Sequence, residues 1–263
     1  MRKCVTEEEK ILKLRDFYER ESALVTSPFI DDKLQLNRDL FKQVSRSLSM
    51  SFNGKIVLDI GCGSGLLAAF FHDHKFYVGM DLNVRDSFKI MRDESHHYAQ
   101  ANALQLPVAD NSIDVAICMD SFEHFPDQPT AAKEIKRVLK PGGFVFLSTP
   151  NYANIAGIVK SCCETFGRYE KNTWAPFDYW RAEELEHFMT PRRLRQVFGS
   201  AGFSTFARIG FDREVVVGLF PWVWHPKMPG IVASALSKGM SVVAKPICRV
   251  WPESSLHTFW RIE

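Results

Sequence analysis

The sequence predicts an α/β fold: a doubly wound, mostly parallel seven-stranded sheet with an antiparallel last strand and helical insertions. Three observations predict it. Short apolar runs alternate with helical patterns from Ile56 to Asn151, the signature of strands joined by crossover helices. The first run breaks at a glycine-rich turn, "IGCGSG", and the second ends on an acid, Asp81. Two later strand-like runs, 203–211 and 256–263, close the sheet as a hairpin if the last strand runs backwards.

Residues 6–22 carry a helical pattern opened by the capping box Thr6-x-x-Glu9, and a second helical pattern covers 31–49. Asn53-Gly54 punctuates, and Ile56–Ile60 is a short buried strand. Residues 64–74 read as a helix, 76–82 as a strand, 84–93 as a helix, and 97–102 and 113–120 as strands. A helix at 130–139 is expected to stop at "KPGG" before the strand 144–151. Thr190 and Pro191 suit the N-cap and first position of a helix over 190–202.

The chain has 263 residues, 46 % of them apolar, enough for one substantial core. We expect a single domain over 1–263, with a helical cap (1–53), a ligand-binding core (54–151) and two insertions (152–189 and 212–255). A net charge of +2 with dispersed Lys and Arg leaves no nucleic-acid footprint. Six cysteines without a C-x-x-C pair read as thiols of a reducing compartment. The charged N-terminal segment is unlike a signal peptide, and no uninterrupted apolar run looks long enough to span a bilayer. A cytoplasmic protein is the expectation, and its oligomeric state is open.

The turn after the first strand points to a ligand. Glycines let the chain bend sharply and bring backbone N–H groups close to a bound molecule. The spacing Gly61-x-Gly63-x-Gly65 differs from the G-x-G-x-x-G dinucleotide fingerprint, since Leu66 occupies that pattern's third-glycine position. A carboxylate at Asp81 can accept both hydrogen bonds of a ribose diol. The reading is a nucleoside that presents no pyrophosphate, with a Rossmann-like dehydrogenase or a nucleotide-binding module as the competing reading.

"VLDIGCGSG" followed by "GMDL" resembles the class I S-adenosylmethionine-dependent methyltransferases, and "NALQLP", "CMDSFEHFPD" and "LKPGGFVFLSTPN" fall in that family's order. The likeness covers about residues 55–150. It implies a Rossmann-like methyltransferase fold with S-adenosyl-L-methionine as cofactor. It also implies roles. Gly61, Gly63 and Gly65 would face the methionine moiety, Asp59 would tie that loop to the neighbouring chain, and Asp81 would hold the ribose. Leu82 would pack on the adenine, Asn102 would accept from the adenine amino group, Ala103 would supply a backbone contact, and Met119 would offer its carbonyl to the methionine amine.

Within that family, "CMDSFEHFPD", "LSTPN" and "FMTPRRL" are similar to the O-methyltransferases of ubiquinone biosynthesis. Some members hold magnesium on the acid-x-x-Glu-His residues, which makes Asp120, Glu123 and His124 the candidate metal ligands. "LNRDLF" makes Arg38 the candidate for the cofactor carboxylate. The chain departs from that subfamily at Ala182-Glu183-Glu184, where a Thr-His-Asp is expected, although His187 follows nearby.

The resemblance therefore implies methyl transfer to a small-molecule or lipid-like acceptor, with oxygen the expected atom and a sugar or other metabolite as the alternative. A cofactor-fold protein without catalysis is a further alternative, disfavoured by the intact glycine turn and Asp81. A histidine suits proton removal near neutral pH, so His124 is the candidate base and Glu123 the alternate. The same run also suits a purely structural strand cap. Tyr18 is a candidate cover for the cofactor. The stretch 218–251 joins Trp222, Trp224 and Trp251 to Lys227, Lys238, Lys245 and Arg249. It reads either as a helical lid packed on the core or as a surface for peripheral membrane contact.

Overall fold

Ile56–Ile60 forms the central strand β1, an apolar run with one charge, Asp59, that is itself buried. In this computed structural model, which describes residues 6–20, 29, 36–71, 73–165, 186–224 and 228–263, β1 pairs in parallel with β2 (Phe76–Asp81) and with β4 (Ile113–Met119). β3 (His96–Gln100) extends the parallel set beyond β2, and β5 (Leu139–Pro150) extends it beyond β4. With β6 (Phe206–Gly210) and an antiparallel β7 (His257–Ile262), the sheet has seven strands in the order β3-β2-β1-β4-β5-β7-β6. The chain order reverses at β1 and β4, and a doubly wound sheet binds ligands at the carboxyl ends of its strands at such a point.

The helices follow their caps. α1 (Glu7–Arg20) opens with the reciprocal capping box: Glu9 N–H donates to Thr6 Oγ1 at 3.3 Å, and Thr6 N–H donates to Glu9 Oε2 at 3.0 Å. α2 (Arg38–Ser47) is capped by Asn37, whose Oδ1 accepts from Leu40 N–H. It begins later than the expected 31–49 because Asn37 caps it and Leu36 and Asn37 are not helical; residues 30–35 lie outside the described residues. α3 (Ser87–Met91) is a single short turn. α4 (Gln128–Val138) is capped by Asp127 and buries Ala131, Ala132, Ile135 and Val138 on one stripe; fully burying Ile135 alone contributes about 2 kcal/mol. α6 (Pro191–Ser200) starts where Thr190 Oγ1 accepts from Arg193 N–H at 3.2 Å.

Three expectations change. The helix expected at 64–74 is only a 3₁₀ turn, Leu66–Phe70. Gly65 enters it in the left-handed conformation, and the apolar run that follows is core packing rather than a helix face. "KPGG" does not separate helix from strand. β5 begins at Leu139, and the four residues are absorbed where the register shifts between Ile113↔Leu139 and Val115↔Phe144. Finally, 230–250 is one continuous helix of 21 residues, α8 (Gly230–Val250), long and apolar enough by length and composition to cross a membrane.

The chain divides into two compact units. One comprises Met1–Ser148, Arg195–Ala207 and Trp260–Glu263; the other comprises Thr149–Leu194 and Arg208–Phe259. In the first, Phe29, Phe41, Phe70 and Phe146 form an aromatic cluster, and Trp260 is fully buried. The second unit is built largely from the two segments read as insertions. α5 (Ile155–Thr165), α7 (Val215–Leu219) and α8 share a core of Ala156, Val216, Val217, Val223 and Leu256. Among the described residues Cys62, Cys118, Cys162 and Cys248 are free thiols.

Candidate active site

A cavity of about 1210 Å³, counted with its open mouth, lies at the carboxyl ends of β1, β2 and β4. Its floor is the turn after β1. Gly61 (φ 77°) and Gly63 (φ 55°) both adopt left-handed backbone, which costs L-residues with a Cβ. The two glycines serve different needs. A Cβ on Gly61 would fall 2.5 Å from the Ser121 Cβ, so Gly61 lets β1 and β4 approach. A Cβ on Gly63 would meet nothing within 4 Å, so Gly63 leaves backbone facing open space. Gly65 is a packing glycine: its Cβ would meet the Tyr98 ring at 2.6 Å, and it does not line the cavity.

Asp81 forms the wall beside that turn. Its Oδ2 accepts from Gly63 N–H at 2.8 Å and its Oδ1 from Asn83 N–H at 3.0 Å. Burial pushes the carboxyl up, and these two backbone donors oppose the shift. Each oxygen keeps a further lone pair. Asn83 Oδ1 is a buried acceptor on the same wall and has no hydrogen-bond partner among the described residues, while Asn83 Nδ2 donates to Arg15 C=O at 3.0 Å. Buried polar atoms are normally satisfied, so this wall is built for a donor-bearing ligand. Sequence reading missed Asn83; its only signal is an amide two residues after the acid.

The remaining cofactor candidates fall as follows. Leu82, Asn102, Ala103 and Met119 line the cavity. Gln100 Nε2 donates to Leu82 C=O at 2.8 Å and fixes that residue. Asn102 Oδ1 accepts from Leu104 N–H at 3.0 Å, which leaves one lone pair for a ligand. Arg38 is not brought to the cavity. Its guanidinium donates to Ala69 C=O at 2.8 Å and lies 5.9 Å from the Phe70 ring centroid, because the start of α2 packs on the 3₁₀ turn.

Asp59 lines the floor and accepts a hydrogen bond from the Tyr77 hydroxyl of the adjacent strand. Burial raises its carboxyl from 3.8 to about 7 against the lowering effect of Tyr77. A raised folded value means the native chain holds this proton while the unfolded chain has lost it. The stability tied to Asp59 is therefore full below its unfolded value and is lost as pH climbs towards 7, by roughly 4 kcal/mol in total. We expect urea midpoints of the parent to fall from about pH 4 to 7 relative to Asp59→Asn; parallel profiles would contradict this. The Cys62 thiol beside it is held well above its ordinary range, first by burial and then by Asp59 and Asp81, so it offers no thiolate.

After β4, Asp120 has φ 46°, an uncommon conformation for a residue with a Cβ. Ser148 clamps it: Ser148 Oγ donates to Asp120 Oδ1 at 2.7 Å and accepts from Asp120 N–H at 3.1 Å. Glu123 is 1 % exposed and does not line the cavity. His124, on the 3₁₀ turn Phe122–His124, does line it. Asp120 and His124 both line the cavity but Glu123 does not, and among the described residues no group of three His, Cys, Asp or Glu side chains could hold a metal ion. The magnesium site expected on these residues is not formed: one carboxylate is turned to Ser148 and the other is buried. Glu123 likewise does not reach the cavity as a base.

α1 covers the cavity with Ile11, Leu14 and Tyr18. The Tyr18 ring stands edge-on to His124, centroids 5.7 Å apart. Arg85 donates to Tyr18 C=O at 3.0 Å, so Arg85 and Asn83 together fasten the last turns of α1. His187 belongs to the other compact unit, where Arg193 donates to its Nδ1 at 3.1 Å. Ala182-Glu183-Glu184, Lys227 and the Trp224 side chain lie outside the described residues.

The comparisons agree with this geometry. A methyltransferase-domain family matches residues 33–207. An uncharacterized methyltransferase of Mycobacteroides abscessus is 32 % identical over 82 % of this chain and 84 % of its own length. A ubiquinone biosynthesis O-methyltransferase of Paraburkholderia phymatum is 39 % identical, over 37 % of this chain and 45 % of its own length. In fold, the chain is similar to phosphoethanolamine N-methyltransferase 2 of Haemonchus contortus, solved with S-adenosyl-L-methionine, at a TM-score of 0.55 and 14 % identity, covering 99 % of this chain and 58 % of that one.

Proposed function

The chain belongs to the S-adenosylmethionine-dependent methyltransferases, and we propose that it methylates an oxygen of a small, lipid-like acceptor such as a phenol of the polyprenyl-quinone type. The observation that carries the proposal is His124, among the described residues the one imidazole on the cavity lining. The cofactor supplies a methyl group already activated by its sulfonium, so the protein's share is positioning and proton removal. A neutral amine needs no base before it is methylated, whereas a hydroxyl benefits from losing its proton. His124 takes that proton, and the Tyr18 ring holds the imidazole edge-on. The likeness to the ubiquinone biosynthesis O-methyltransferase, though confined to 37 % of this chain, supports the oxygen acceptor.

Asp81, Asn83, Gly63, Leu82 and Asn102 would hold the cofactor: carboxylate and amide acceptors for hydroxyl donors, a bare backbone at the turn, and a leucine for a flat ring. Incubating the protein with methyl-labelled cofactor and matched phenol, catechol and amine acceptors tests the proposal. We expect O-methylated aromatic product by mass spectrometry. Label passing to amines alone would overturn it.

A further inference from the structure

We infer that α8 and the tryptophans flanking it form a docking face for an anionic membrane surface. The inference is independent of which acceptor is methylated. The inward face of α8 is settled by packing: Ala233, Leu236 and Met240 lie on the cluster containing Val216 and Val217, while Ala244, Ile247 and Cys248 pack with Val215. These positions follow a helical spacing and use up one side of the helix.

The other side is apolar where a water-facing helix would be polar. Ile231 is 87 % exposed, Val242 78 % and Val250 87 %, with Val232 and Val243 beside them. Lys238, Lys245 and Arg249 recur at intervals of seven and four, so they form one cationic edge along that apolar sector. All three are exposed. No Asp or Glu occurs from Val215 to Trp251. Trp222 and Trp251, exposed by 39 % and 43 %, stand before and after the helix. An apolar stripe bordered by long cationic side chains and aromatic rings is the pattern of a helix lying in the headgroup region, where the cations reach phosphates and the aliphatic groups dip below them.

Two other occupants fit less well. α8 has the length to span a bilayer, but one face of it packs against the Val215 and Val216 clusters and it carries three charges. A second copy of this chain would bring the same cationic edge against itself. The lack of any acid across this stretch favours an anionic partner over a self-complementary one.

The test uses the full chain in flotation with phosphatidylcholine vesicles, with and without phosphatidylglycerol. We expect binding to the anionic vesicles that weakens with salt, together with tryptophan quenching by brominated lipid. The triple variant Lys238→Gln, Lys245→Gln, Arg249→Gln should bind roughly 100-fold more weakly at low salt. Ile231→Ser with Val242→Ser should lose the quenching. All five side chains are exposed, so circular dichroism should match the parent in both variants. Absence of binding at low ionic strength would overturn the inference. So would equal binding to uncharged vesicles, or a concentration-dependent dimer that the serine variant abolishes in a chain that ignores vesicles. Association that resists both salt and alkaline carbonate would mean a spanning helix and would overturn it as well.

Discussion

Asp81→Ala is expected to weaken S-adenosylmethionine binding by roughly 100-fold or more, since two hydrogen bonds to a charged acceptor are worth about 1.5–3 kcal/mol each. The geometry makes the loss specific. Asp81 already accepts from Gly63 and Asn83 N–H, so its orientation is fixed before any ligand arrives. Such preorganisation reduces the ordering cost of binding. Burial raises the Asp81 carboxyl, so keeping it ionised costs folding stability. Its removal relieves that cost but strands the Gly63 and Asn83 N–H donors, so a melting temperature measured beside the affinity separates weak binding from unfolding. Asp81→Asn, which retains one acceptor oxygen, should fall between the two. Calorimetry showing parental affinity in a folded Asp81→Ala variant would refute the ribose-holding role.

His124→Ala is expected to lower kcat by roughly 10²–10⁴-fold while cofactor affinity holds. Because the Tyr18 ring packs edge-on against the imidazole, alanine also removes a contact. His124→Phe separates the two effects: it preserves an aromatic edge for Tyr18 but cannot accept a proton. If His124 acts as the base, both variants lose turnover. If it only supports Tyr18, the phenylalanine variant recovers most of it. Full turnover by folded His124→Ala would remove the imidazole from the chemistry.

Much of the sheet was legible because each strand is a short apolar run bounded by turn residues. β1 and β4 are buried from both faces, and such strands read as continuous hydrophobic stretches. The capping boxes at Thr6 and the N-cap at Thr190 were legible because their partners lie three residues away. The glycine turn and Asp81 were legible for the same reason: the determinants are local, and few other residues can meet them.

What was not legible depends on packing between distant segments. Nothing in the spacing of Asp120, Glu123 and His124 reveals that Ser148, on the next strand, claims the first carboxylate, or that the second is buried. Motif order points Arg38 at the cofactor, but its guanidinium donates to the Ala69 carbonyl beside the Phe70 ring, off the cavity lining. The fastening of α1 by Asn83 and Arg85 joins residues 68 and 67 positions apart. "KPGG" misleads because a turn and a bulged strand use the same residues. The second compact unit arises from two apolar segments that bury one another, and pattern alone cannot pair them.

The measurement that tests the central claim most directly is a calorimetric titration of the unmodified chain with S-adenosylmethionine. If the cavity bounded by Gly63, Asp81 and Asn83 is the cofactor site, one molecule should bind per chain in the micromolar range, on the order of −8 kcal/mol. A folded chain that gives no binding heat with millimolar cofactor, and whose melting temperature that cofactor does not raise, would contradict it.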